Sequence, residues 1–174
     1  HVSCAGRRVP LSACTGDQSA AAFAFGRPEP GGALINVGTG AFVQRVAPNG
    51  ASLPDGILRS VLCADEAGVL VSHEGTVNGA GSALDWLRDR VALDVDRALA
   101  ALAAHEPVAG EVPLFVNGVG GLGAPFWLPH FPCEFVGDGG DAAQLTAVVE
   151  SIAFLLCVNL ESLQRAAPLA RIRI

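Results

Sequence analysis

The chain has 174 residues, a formal net charge of −6, a sequence pI near 5.1 and 51% hydrophobic residues. That is room for one domain with a good core, and the composition is too apolar for disorder. The acidic balance, with no run of basic residues, speaks against a nucleic-acid or anionic-membrane surface.

Five cysteines, Cys4, Cys14, Cys63, Cys133 and Cys157, form no CxxC pair and follow no signal-like start. They read as reduced thiols, which makes the cytoplasm the expected compartment. The most apolar run, Ile152 to Val158, falls short of the roughly 20 residues of a membrane helix, so no span is expected. The sequence contains no Met and closes on the alternating Ala170-Arg171-Ile172-Arg173-Ile174. It reads as a piece of a longer protein, ending in a strand cut off before its continuation.

In chain order, His1 to Pro10 is short and basic. Leu11 to Cys14 reads as a strand, Thr15-Gly16-Asp17-Gln18 as a loop, and Ser19 to Phe25 as an apolar helical run. A Pro/Gly-rich connector, Gly26 to Gly32, leads to two strands, Ala33 to Val37 and Ala41 to Val46, around a tight turn at Gly38-Thr39-Gly40. On the second strand Phe42, Gln44 and Val46 share one face, and Ala41, Val43 and Arg45 the other. Pro54-Asp55-Gly56 marks a further turn, and Ile57 to Cys63 and Gly68 to His73 read as another strand pair. The first half is therefore mostly antiparallel sheet.

Glu74 to Ser82 reads as a loop, followed by a helix with Ala80, Ala83, Leu84, Leu87 and Val91 on one face and Asn78 or Ser82 as its cap. Gly79 and Gly81 suggest close approach of a ligand or of a neighbouring strand, and Trp86 reads as core. A second helix spans Asp94 to Ala104, and Pro113 to Val116 is a short apolar strand. The run Gly118 to Trp127 holds Gly118, Gly120, Gly121 and Gly123, suited either to a ligand or to a tight connector. No GxxxxGK[ST] pattern exists, which excludes a P-loop. The longest helix runs from Asp141 to Arg165 and is apolar nearly all round in its middle. His73, His105 and His130 are scattered without ligand spacing, so no metal site is expected from them.

Two stretches can carry chemistry. Transfer of a phosphoryl group to an alcohol needs positioning, charge stabilisation and a carboxylate that accepts the hydroxyl proton, and Asp17 suits that role. A hydroxyl residue flanked by glycines lets backbone N–H groups approach phosphate oxygens, as Gly38-Thr39-Gly40 would. Each also has a plain structural use, Asp17 as a helix cap and the glycines as a hairpin turn.

Five motifs occur in a telling order: Thr15-Gly16-Asp17-Gln18; Gly38-Thr39-Gly40; Glu74-Gly75 with Ala80 to Leu87; Gly121 to Trp127; and Glu150-Ser151-Ile152-Ala153-Phe154. Their order and spacing resemble the second half of the FGGY carbohydrate kinases, from about Arg8 to the end. The resemblance implies an actin-like, ribonuclease-H-like α/β domain with a mixed sheet and flanking helices, present here incompletely. It implies an enzyme that uses ATP with Mg²⁺ to phosphorylate a sugar or polyol. Carried over by position, Asp17 is the general base and Gln18 and Phe42 touch substrate. Gly38, Thr39 and Gly40 meet nucleotide phosphate, and Gly81 lies at the nucleotide. Asp85 stands where a member of the family has a glutamine near the nucleotide, and a second anion there needs a cation.

The family's N-terminal domain and final C-terminal segment have no counterpart in these residues, so the isolated piece is expected to be inactive, with ligands held in a cleft between two domains. Homo-oligomerisation stays open. One departure stands out: after Trp127 the family has an acidic residue and an arginine, where this chain has Leu128-Pro129-His130-Phe131-Pro132-Cys133. The competing reading is a non-catalytic actin-like domain that binds nucleotide for assembly or regulation. It would keep the Thr39 turn but has no use for the Asp17-Gln18 pair.

Overall fold

The computed structural model describes residues 1–10, 16–47, 50–65 and 68–174; the strand expected over Leu11 to Cys14 lies outside them. A small hairpin, β1 (Val2–Cys4) with β2 (Arg7–Val9), precedes the five-residue helix α1 (Asp17–Ala21). Four strands follow, β3 (Gly32–Val37), β4 (Ala41–Val46), β5 (Leu58–Asp65) and β6 (Gly68–Val77). The second half holds α2 (Gly81–Arg88), α3 (Val95–Ala103), β7 (Leu114–Val116), β8 (Glu134–Val136), α4 (Asp141–Ala166) and β9 (Arg171–Arg173).

The central sheet has the order β5-β6-β4-β3-β9. Its first four strands pair antiparallel, and β9 adds in parallel to β3, so the sheet is mixed. Alternation along β4 decides its two faces. Ala41 and Val43 are fully buried beneath α4, in clusters that include Ile35, Val77, Leu156 and Leu163. Arg45, on the same face, donates through Nη1 to the carbonyls of Leu163 and Ala167 at the end of α4. A cation there satisfies orphan carbonyls and opposes the helix dipole.

A second cluster joins Leu87 of α2, Val95 of α3, Phe115 of β7 and Leu145 and Val148 of α4. Trp86 belongs to it as core, its ring 5.1 Å from Phe115 and 6.0 Å from Phe135. Burial of each large aliphatic side chain in these clusters contributes about 1.5–3 kcal/mol.

Several sequence expectations are corrected. The helix after Asp17 stops at Ala21, and the chain up to Gly26 continues in single turns, such as Phe23 N–H to the Ala20 carbonyl. Its N-cap is Gly16, with Asp17 in the first helical position. Strand β6 continues through Val77 where a loop was expected from Glu74. Gly75 lies inside the strand because α4 crosses there: a Cβ on it would sit 2.1 Å from Asn159 Oδ1. Neither Asn78 nor Ser82 caps α2 through its side chain, and Val91 lies beyond the end of that helix.

By length and composition alone, the 26-residue α4 is long and apolar enough to cross a membrane. The helix matches the one expected over Asp141 to Arg165, whereas the expectation of no span rests on the shorter run Ile152 to Val158 within it. In this fold α4 lies across the sheet and buries Leu145, Val148, Asn159 and Leu163.

Candidate functional site

The turn Gly38-Thr39-Gly40 closes the β3–β4 hairpin just beyond the last strand pair, Val37 with Ala41. Thr39 is exposed at its tip, and the Gly38 N–H donates to the Gly40 carbonyl at 2.8 Å. The start of α2 docks against this turn. Gly81 N–H donates to the Gly38 carbonyl and Ser82 N–H to the Thr39 carbonyl, both at 2.9 Å. These bonds satisfy two of the N–H groups that a helix start otherwise leaves unpaired.

The glycines serve space here. Neither Gly38 nor Gly40 adopts a positive φ. A Cβ on Gly81, however, would lie 2.6 Å from the Gly38 oxygen, and one on Gly40 would lie 3.0 Å from the Val77 oxygen. Strand end, turn and helix start thus touch backbone to backbone.

That junction is braced from behind. Asn117, buried at the end of β7, donates through Nδ2 to the Gly79 carbonyl at 2.8 Å and to Ser151 Oγ of α4 at 3.0 Å. A Cβ on Gly79 would meet Asn117 Oδ1 at 2.2 Å. Asn78 donates to the Gly120 carbonyl, and Ala124 N–H to the Thr76 carbonyl at 2.9 Å. The Gly118–Gly123 run is therefore a tight connector, its glycines admitting neighbouring backbone. Sequence reasoning missed Asn117 because a polar residue at a strand end before a glycine run looks like ordinary loop.

Phe42 is half-buried on β4, with Asn36 and Thr76 as its cross-strand partners. It faces away from α4, on the side of Gln44, which donates to Glu74. The chain leaving α1 lies over this side of the sheet: Ala22 and Phe25 line a cavity with Leu34, Gln44 and Leu62. Asp17 heads that helix and is exposed; of Gln18 only the backbone is described. The site residues thus fall into two groups. Gly38, Thr39, Gly40 and Gly81 form one tight junction, and Asp17 and Phe42 belong to elements on the sheet face away from α4.

Asp85 stands on the outer surface of α2, one turn after Gly81. Its carboxylate accepts from Arg88 at 2.5 Å, and Arg88 also reaches Asp96 at 2.6 Å. The hydrogen bonds from Asp96 and Asp85 push the Arg88 ionisation above its ordinary value. Arg88 is thus the cation beside Asp85 in this fold.

Among the described residues no group of three or more His, Cys, Asp or Glu side chains is arranged to hold a metal ion. A Mg²⁺ carried by nucleotide phosphates needs only one or two protein carboxylates, so the lack of such a group does not conflict with the Mg²⁺ that the resemblance implies.

Residues 33–174 match the FGGY family of carbohydrate kinases, C-terminal domain. The chain is 36% identical over 172 residues to a glycerol kinase of Geobacter sp. (strain M21), covering 95% of this chain and 34% of that protein. It is 37% identical over 130 residues to a glycerol kinase of Halothermothrix orenii, covering 72% of this chain and 25% of that protein. The chain spans about a third of the length of curated relatives such as the Geobacter protein. Among solved structures it is similar to the glycerol kinase of Plasmodium falciparum with ADP, with a TM-score of 0.78 at 24% identity over 94% of this chain and 34% of that one. The xylulose kinase of Rhodospirillum rubrum gives 0.68 at 23% identity, over 91% and 32%. At these identities the likeness speaks to the fold, which is the actin-like ATPase α/β fold expected from the sequence.

Proposed function

We propose that this chain, which belongs to the FGGY family of carbohydrate kinases as a C-terminal domain, supplies part of the active site of an ATP-dependent kinase acting on a hydroxyl of a small polyol or sugar. Glycerol is the leading substrate, since the curated relatives named above are glycerol kinases. The observation that carries this reading is the junction of the Gly38–Gly40 turn with the start of α2, held by two 2.9 Å backbone hydrogen bonds. It holds the Thr39 backbone at an exposed tip, which supports a role for its hydroxyl at a phosphate.

In this reading Thr39 and its flanking glycines hold the nucleotide phosphates, and Asp85, balanced by Arg88, lies alongside the nucleotide. Asp17 accepts the hydroxyl proton as the substrate oxygen bonds to the terminal phosphorus and the bond to the departing ADP breaks. Gln18 hydrogen-bonds the substrate, and the Phe42 ring packs against its carbon face. Mg²⁺, when bound with ATP, neutralises charge on the phosphate oxygens. Closure of a second domain over this face would exclude the water that otherwise hydrolyses ATP.

The test is ADP release by the complete kinase carrying this chain, with Mg-ATP and a panel of glycerol, pentuloses, hexuloses and sugar acids. Strong stimulation by one polyol or sugar is expected. ATP binding without stimulation by any of them would contradict the catalytic reading and favour a nucleotide-regulated actin-like domain.

A further inference from the structure

A cavity of about 460 Å³ opens at the β5–β6 side of the sheet, lined by Arg59, His73, Val46, Val71 and the chain around Ala51. Among the described residues of its lining, Arg59 and His73 are the only charged or titratable side chains, and none is a carboxylate. In a chain of net charge −6, that is a local excess of positive charge.

The excess is built by strand register. His73 of β6 pairs directly with Arg45 of β4 on one side and with Arg59 of β5 on the other, so three basic side chains form one row on one sheet face. Two arginines thus flank a buried imidazole, and burial together with their charge disfavours its protonation. Arg45 is compensated by the α4 carbonyls it caps. Arg59 has no such partner in the row. His73 is 2% exposed, and its Nδ1 is buried without a hydrogen-bond partner among the described residues, an arrangement that a protein normally avoids or uses.

We propose that this cavity is a binding site for a small oxyanion of the phosphate class, held by the Arg59 guanidinium and the His73 ring. A guanidinium fork matches two oxygens of a tetrahedral oxyanion, and a neutral imidazole offers one N–H donor. The anion supplies the negative charge that the row lacks. The Arg59 and His73 side chains lie on the opposite sheet face from Phe42 and Gln44, while Val46 lines both this cavity and the one beside Phe25. Free phosphate and a phosphate monoester share this chemistry.

The experiment is histidine-selective ¹⁵N NMR of the complete protein carrying this chain, with the His73 resonance assigned through His73→Gln. Inorganic phosphate is titrated in one arm and methyl phosphate in the other, at fixed pH and ionic strength with chloride as the balancing ion. A saturable shift of the His73 ring signal with phosphate and not with chloride is expected. Tighter binding of methyl phosphate would identify a monoester as the ligand, and equal or weaker binding would identify free phosphate. Arg59→Gln, at an exposed position and checked by an unchanged melting temperature, should weaken the apparent affinity about tenfold, as loss of a charge-assisted contact implies. Arg59→Lys should restore part of it. No saturable shift in either arm, or a shift indifferent to Arg59→Gln, overturns the proposal.

Discussion

Replacing Gly81 by Ala should damage the proposed nucleotide site through the backbone alone. The new Cβ would fall 2.6 Å from the Gly38 oxygen, 3.2 Å from the Gly38 carbonyl carbon and 3.4 Å from Thr39 Cα. All three are backbone atoms of a short turn, so no side chain can swing aside. Restoring ordinary contact requires the turn and helix start to separate by about 0.8 Å, well up the repulsive wall of the contact. Such a shift stretches both 2.9 Å hydrogen bonds of the junction, each worth about 1 kcal/mol net. Overpacking adds about 1–3 kcal/mol, and alanine's better helix propensity returns at most about 1 kcal/mol. A net destabilisation of about 2–4 kcal/mol follows. Thr39 moves with the turn, so the KM for ATP should rise about tenfold while that for the polyol changes little. Steady-state kinetics of the complete kinase, paired with thermal denaturation, reads both effects. A Gly81→Ala protein with unchanged melting temperature and unchanged KM for ATP would refute the reasoning.

Thr39→Val keeps the shape of the turn tip and removes its hydroxyl. Nucleotide binding measured by calorimetry should weaken about five- to tenfold, a typical hydrogen-bond contribution, with the melting temperature unchanged. Asn117→Ala leaves the Gly79 carbonyl without its buried donor and frees Ser151 Oγ from its second partner, so stability in denaturant titration should fall by about 1–3 kcal/mol. Burial first, then Arg45 and Arg59, holds the His73 pKa below its ordinary 6.5. The unfolded chain therefore binds the extra proton first, and His73's contribution to stability is fully present above pH 6.5 and is lost as pH falls through its folded pKa. Replacing it, as in His73→Gln, should flatten that acid limb in denaturant titrations across pH; an unaltered limb would assign it to other groups.

The parts legible in the sequence are those where one physical signal dominates. Alternation on β4 correctly separated Phe42 and Gln44 from Ala41, Val43 and Arg45, because one face lies under α4 and the other does not. Asp94 announced α3 by its side chain, which accepts from the Arg97 N–H at 3.1 Å. Where a residue serves a tertiary neighbour, its local signal misleads. Gly75 falls in a stretch that reads as loop, yet it sits inside β6 to admit Asn159 of α4. The apolar run after Asp17 reads as a helix, yet it opens after Ala21 where Ala22 and Phe25 line a cavity against the sheet. Strand β8 was unreadable, since Phe135 lies close to Pro132 and Gly137 and shows its purpose only beside Phe115, with ring centres 4.8 Å apart. For the candidate site, the turn and Gly81 were found by motif, and the reason for their glycines, backbone against backbone, needed the fold.

The most direct test concerns Asp17, an exposed carboxylate at the head of α1 cast as the base that takes the hydroxyl proton. Glycerol-dependent ADP release should be measured for the complete kinase and for its Asp17→Asn variant, alongside ADP affinity by calorimetry. The expected result is a fall in kcat of about 10²–10⁴, the usual worth of a general base, with ADP affinity within a factor of about two. Retained turnover in Asp17→Asn would contradict the proposed chemistry and remove Asp17 from its role.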